Sequence, residues 1–247
     1  MLLDRNTASP LYEQLKKVIE HKIKVGELKI DEQLPSERQL CEIYEVSRIT
    51  VRQAISLAEN EGLLYRKHGI GTFVTKPKIQ QKLSSVDNFQ TTLSQQGLVA
   101  RTEKWSSEII SCNFQISRLL DIDIMEKVAN LRLVGFADDS PIVFYDSYFT
   151  YDIGKKMIAA ADEALMKNTP FSTLDLHKEI SNDFPTHVEQ TMEAHVSNEQ
   201  LSKILRVEKG SPILRVTSIV YCNSKPVEYK ETHYRGDKYK FFITRNL

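Results

Sequence analysis

The chain has 247 residues, enough for one large domain or two ordinary ones. Hydrophobic residues make up 41% and charged residues 27%, which excludes a wholly disordered or collagen-like chain. Lys plus Arg (33) balances Asp plus Glu (33), so net charge alone does not announce a nucleic-acid partner. No apolar run approaches the roughly 18 residues of a membrane span, and residues 1–10 lack the apolar core of a signal peptide. A cytoplasmic protein with no membrane association is expected. Cys41, Cys112 and Cys222 are far apart and odd in number, so neither a disulfide framework nor a metal site is expected.

Ser9-Pro10 predicts a helix start, with serine at the N-cap and proline at the first helical position. Leu11, Leu15, Val18, Ile19 and Ile23 then recur at helical spacing until Gly26. Leu34-Pro35-Ser36 starts a second helix, and Ser36 with Gln39 three residues on is a capping box. Its apolar residues are Leu40, Ile43 and Tyr44. A short turn at Glu45-Val46 leads to Ser47, a third N-cap, and to a helix with Val51, Ala54, Ile55 and Ala58 on one stripe. Arg48, Arg52, Ser56 and Glu59 form the opposite stripe. Helices joined by so tight a turn cross steeply, and the second projects Ser47, Arg48, Thr50 and Arg52 away from the body.

After Gly62, residues 63–67 and 72–74 predict a β-hairpin whose tip is His68-Gly69-Ile70-Gly71. Residues 1–78 hold 13 basic against 11 acidic residues. A local basic face binds phosphate even on a neutral protein. A helix that fits the major groove beside a hairpin with a basic rim is a winged helix-turn-helix layout. Arg48 and Arg52 alone would describe a solvated helix face, and Arg38 a pair with Glu42 one turn on; it is their order with caps, turn and wing that points to DNA.

The run 34–40, then 46–54, 61–63 and 69–74 resembles the N-terminal domain of the GntR family of bacterial transcription regulators, without a gap from about Pro10 to Val74. The resemblance implies that Arg38, Arg48, Thr50 and Arg52 contact the operator, with Ser36 among the contacts, Ser47 on a phosphate, and His68, Gly69 and Gly71 at or near the minor groove.

A winged helix-turn-helix domain over residues 1–75 is expected, then a polar linker over 76–85 and a second domain over 86–247. A short helix is expected over 88–96 and a strand over 104–112, then a helix over 116–120. Strands flank two turns, 137–141 and 222–226. Between them lie helices over 153–165 and 172–180, a strand over 187–196 and a helix over 199–205. The two turn regions echo each other, a weak internal duplication of a helix-plus-hairpin unit. Antiparallel hairpins with helices between them favour an α+β domain with one sheet and a pocket between the layers.

This second part is similar to the UTRA ligand-binding domain, with its chorismate-lyase-like fold, of the HutC branch of the GntR family. The similarity is strongest at Pro226-Val227-Glu228-Tyr229 and Tyr234 to Tyr239, and it implies homodimers and an effector pocket. Members that bind phosphorylated sugars commonly carry two arginines where this chain has Leu133 and Gly135. They tend to have a Glu in place of Tyr145, a Ser-Leu-Tyr triplet in place of Thr173-Leu174-Asp175, and a hydroxyl residue in place of Gln90. Glu228 and Tyr234 match positions that hold the sugar part.

A phosphate dianion in a partly buried pocket needs arginine forks or several donors. Arg132 replaces the missing pair only if the strand register slips by one. The expected effector is therefore a sugar derivative or a less anionic metabolite, less charged or even cationic, with Glu228, Asp175, Tyr145 and Tyr234 lining the site. The alternative is a small-molecule enzyme of chorismate-lyase-like fold, with His177, His187, His195, Asp175 and Glu189 as its candidate groups. No nucleophile motif, cofactor loop or His-Glu metal spacing accompanies them. The expectation is thus a ligand-responsive, homodimeric transcription regulator without a cofactor, most simply a repressor, on an inverted-repeat operator.

Overall fold

The computed structural model describes residues 3–4, 7, 9–67, 69–75, 78–83, 89–180 and 185–244. Contacts divide the chain into two units, Met1–Pro77 and Lys78–Leu247. The first holds α1 (Leu11–Lys24), α2 (Glu37–Tyr44), α3 (Arg48–Asn60) and the antiparallel hairpin β1 (Leu64–Lys67) with β2 (Gly71–Val74). Pro10, not Ser9, occupies the N-cap of α1 and supplies no side-chain cap; the Ser9 hydroxyl is buried without a hydrogen-bond partner. This corrects the expected serine cap.

The other two helix starts follow their local chemistry. Ser36 and Gln39 form the capping box of α2, and Ser47 Oγ accepts from Thr50 N at 3.1 Å to open α3. Between them Glu45 adopts φ 53°, the left-handed residue that makes the turn tight. Leu15, Ile19 and Leu40 pack with Val51, Ala54 and Ile55 in one core, closed below the hairpin by Leu64 and Val74. Ile43 stays exposed.

In the second unit the described elements begin with β3 (Ile79–Lys82), which pairs in parallel with the last strand, β10 (Tyr239–Phe242). Part of the segment expected as linker is thus a strand. The main sheet has six antiparallel strands in the order β4 (Ala100–Ser111), β5 (Lys127–Ala137), β6 (Ser140–Thr150), β9 (Lys225–Arg235), β8 (Pro212–Cys222) and β7 (His187–Val196). The helices are α4 (Phe89–Ser94), α5 (Phe114–Leu120), α6 (Tyr151–Met166), α7 (Thr173–Ile180) and α8 (Glu199–Leu205).

The duplication extends to half the sheet: β4-α5-β5-β6 repeats as β7-α8-β8-β9, and the halves meet where β6 pairs with β9. Asn113 and Asn198 cap the two equivalent helices, and Asp121 and Arg206 end them in the left-handed conformation. Each hairpin is bulged at the same place, Gly135/Phe136 and Val220/Tyr221. Such bulges increase local twist and re-aim side chains. One sheet face packs Leu131, Leu133, Val143 and Phe149 against Phe89 and Leu93 of α4, Met157 of α6 and Leu176 of α7. The other face packs Ile116 and Leu120 of α5, and Leu201 and Leu205 of α8.

Candidate DNA-reading face and ligand pocket

The exposed N-terminal end of α3 carries Arg48, Thr50 and Arg52 beyond the Ser47 cap. Arg48 is exposed and makes no ion pair among the described residues, whereas Arg52 Nε donates to Glu37 Oε2 at 2.9 Å. Arg38 Nε reaches Glu42 Oε1 at 3.0 Å, so the helical pair weighed above forms in the free protein. Ser47 Oγ is 2.9 Å from Thr50 Oγ1, and Ser36 Oγ both accepts from Gln39 N and donates to Gln39 Oε1. The hydroxyls of both serines therefore serve as helix caps.

In the hairpin, Tyr65 stacks on Phe73 with centroids 5.6 Å apart, and the Lys67 ammonium lies 4.9 Å from the Phe73 ring centroid. That contact holds a cation on the wing rim. Gly69 at φ 72° makes the tip turn, and Gln33 Nε2 donates to Ile70 O at 2.9 Å. His68 lies outside the described residues.

In the second unit a pocket opens beside α7, on the same sheet face as Leu131 and Leu133. It holds about 770 Å³ of atom-free space, its open mouth included. One wall is aromatic: Tyr234 lies 4.6 Å from Tyr239 and 5.0 Å from Phe241 between centroids, and Phe89 meets Tyr145 edge-on at 6.5 Å. Gln81, Lys82 and Leu83 of the β3 segment form part of the rim. The floor is polar, with Gln190, Ser218 and Lys230 adjacent across β7, β8 and β9. Burial pushes the Tyr145, Tyr234 and Tyr239 phenols up, so they remain protonated.

Behind this floor sits a buried charge cluster. Glu228, fully buried, accepts from or is bridged by His177 Nε2 at 3.0 Å, and its second oxygen lies 3.6 Å from Lys230 Nζ. Lys230 Nζ donates to Thr173 Oγ1 at 2.9 Å. Burial alone would push the Glu228 carboxyl up; Lys230, His177 and Thr173 overcome it and hold it down, to about 2.

Of the residues expected in the effector site, Tyr145 and Tyr234 line the pocket. Thr173 and Glu228 stand one layer behind, linked to it through Lys230. Asp175 Oδ2, in the first turn of α7, accepts from Ser172 N and Oγ, both at 2.8 Å, and is not on the lining. Gln90 is exposed on α4, and Leu133, paired with Tyr145 across β5 and β6, is fully buried in the core. Arg132 points to the opposite face, where Asp146 and Glu108 hold it, so the register does not slip. Lys230, Ser218 and Gln190 were not anticipated. Counting by twos from Glu228 reaches Lys230 and Thr232 on the same face as Tyr234, and that signal was available.

The residues of the enzyme alternative do not converge. His177 is sealed against Glu228, while His187 stacks on Tyr221 at 4.5 Å, and Glu189 accepts from Tyr221 Oη at 3.2 Å on the far face of the sheet.

Residues 11–74 match the family described as bacterial regulatory proteins, gntR family, and residues 95–240 match the UTRA domain. The chain is 30% identical to the HTH-type transcriptional repressor NagR of Bacillus subtilis, over 98% of this chain and 97% of that protein. It is 26% identical to the histidine utilization repressor of Pseudomonas aeruginosa, over 84% of this chain and 80% of that one. The crystal structure of PhnF from Mycobacterium smegmatis superposes with a TM-score of 0.64 at 20% identity, covering 95% of this chain and 98% of that one, a likeness of fold. With its helix-turn-helix end and its sheet domain each matched separately and one relative matched along nearly its whole length, the chain belongs to the GntR family of transcription regulators, in the HutC branch that carries a UTRA domain.

Proposed function

We propose that the chain is a cytoplasmic repressor that binds an inverted-repeat operator as a homodimer and whose grip is set by a small molecule held in the UTRA unit. The observation that carries the reading is the exposed N-terminal face of α3, with the exposed Arg48 beside Arg52. In the major groove such guanidinium groups donate to guanine O6 and N7 or clamp phosphate. Thr50 and Arg38 extend that contact, Ser36 and Ser47 present hydroxyls to the backbone, and Gly69 and Gly71 bring the wing close to the adjacent minor groove. Two-fold symmetry of the dimer requires two half-sites about one helical turn apart.

The repressor names of NagR and the histidine utilization protein support the direction of control. The effector acts only through unequal affinity for the DNA-competent and DNA-incompetent arrangements of the dimer. A phosphorylated sugar is disfavoured, since Leu133 is sealed in the core and Gly135 carries no side chain. Fluorescence anisotropy with DNA from upstream of the chain's own gene tests the reading. An inverted repeat is bound with a steep salt dependence, and Arg48→Ala weakens it at least fivefold. An Arg48→Ala, Arg52→Ala double variant with wild-type affinity and salt slope overturns it.

A further inference from the structure

Among the described residues, the pocket lining carries two cationic side chains, Lys82 at the rim and Lys230 in the floor, and no Asp or Glu. This departs from the expectation of a cationic effector: Glu228 is withdrawn behind Lys230, and Asp175 is engaged with the start of α7. Lys230 is also short of acceptors. Its ammonium has three N–H donors; Thr173 Oγ1 takes one at 2.9 Å, and Glu228 Oε1, at 3.6 Å, lies beyond hydrogen-bond distance.

The neighbours of Lys230 in the same cross-sheet row carry the same imbalance. Ser218 Oγ accepts from Gln190 Nε2 at 3.0 Å, leaving its own proton to give. On the other side Ser147, paired with Lys230 across β6 and β9, has a fully buried hydroxyl without a partner. A buried donor without an acceptor is costly, and of this row Lys230 and Ser218 reach the pocket lining with donors to give.

Resting on the effector-pocket reading above, we propose that the ligand is a compact monocarboxylate, its carboxylate accepting from the Lys230 ammonium and the Ser218 hydroxyl and its body lying against the Tyr234, Tyr239 and Phe241 rings. A single ammonium already shared with Glu228 matches one negative charge and does not replace the hydration of a phosphate dianion. A cation finds no acceptor charge on the described lining.

The test is calorimetry of the full-length chain with acid and primary-amide pairs of matched shape, benzoate with benzamide and gluconate with gluconamide, together with glucose 6-phosphate. At least one acid binds and its amide does not. Lys230→Met weakens that acid tenfold or more, and Glu228→Gln, which removes the competing carboxylate, strengthens it. Should Lys230→Met unfold by leaving Glu228 alone, the Lys230→Met, Glu228→Gln double variant removes both charges and loses the acid equally. Amides binding as well as acids, the phosphate ester binding instead, no acid of the panel binding, or acid binding that survives the double variant each overturn the proposal. Operator binding of the ligand-free chain is measured separately, so a wrong ligand class with intact operator binding is told apart from a failed regulator reading.

Discussion

The ring of Phe89 occupies the space that a side chain at position 135 would need: a Cβ built on Gly135 would lie 2.7 Å from Phe89 Cζ and 2.6 Å from Val143 Cγ1. The strand position where the resemblance to phosphosugar-binding members implies an arginine is thus closed by packing as well as by the glycine itself. Gly135→Ala is expected to destabilise the UTRA unit by about 1–3 kcal/mol through overpacking. Adding Phe89→Leu relieves one of the two contacts and recovers part of the loss. Urea denaturation of the single and double variants measures both.

Glu228 ties acid stability to the pocket floor. Its carboxyl titrates at 4.5 when unperturbed and is held down to about 2 in the folded chain. A depressed carboxyl stabilises the fold above its unfolded value, and that stability is lost as pH falls from about 4.5 towards 2. The difference corresponds to roughly 3 kcal/mol. Thermal melts between pH 7 and 2 are expected to show this loss in the wild type and a flatter acid limb in Glu228→Gln. An identical pH profile for the two proteins would mean that the cluster does not hold Glu228 ionised.

The two arginines of α3 differ in their free state, and the difference is testable. Arg48→Ala is expected to cost about 1–3 kcal/mol of operator binding and to relax preference at one base position. Glu37→Gln releases Arg52 from its 2.9 Å pair, and with one acid fewer at the DNA face it raises affinity for random-sequence DNA more than for operator. Anisotropy with both DNAs over a salt series reads the two effects.

Ser47 caps α3, and the proposed reading also sets its hydroxyl against DNA. Ser47→Ala is expected to lower the stability of the winged-helix unit by about 1 kcal/mol, whereas Ser47→Gly lowers it by only a few tenths. Loss of operator affinity in both variants, despite the different stabilities, assigns the hydroxyl to DNA. Affinity that simply follows stability assigns it to the cap.

The winged helix was legible because its signals are local. Ser36 with Gln39 and Ser47 with Thr50 are spaced by one helical turn, and the stripe from Val51 to Ala58 is one face of one helix. Pro10 was misplaced by a single residue because serine and proline both fit a helix start. The pocket was less legible, since its parts come from distant segments. Ile79 pairs with Tyr239, and no short-range signal in the polar stretch after Thr75 marks a strand whose partner lies near the chain's far end. Gln190 and Ser218 belong to strands with no motif, and only the register across β7, β8 and β9 brings them to Lys230. Arg132 was readable from strand alternation alone, which set it opposite to Leu133 and Tyr145.

The β3–β10 pairing joins the first described strand of the UTRA unit to its last, and β3 contributes Gln81 and Lys82 to the pocket rim. Peeling this two-strand ribbon of four pairs would leave the six-stranded sheet paired but would expose the buried Ile79 and Tyr239. Opening it also removes a wall of the pocket. On the proposed effector reading, ligand residence is therefore expected to depend on the pairing of residues 79–82 with β10.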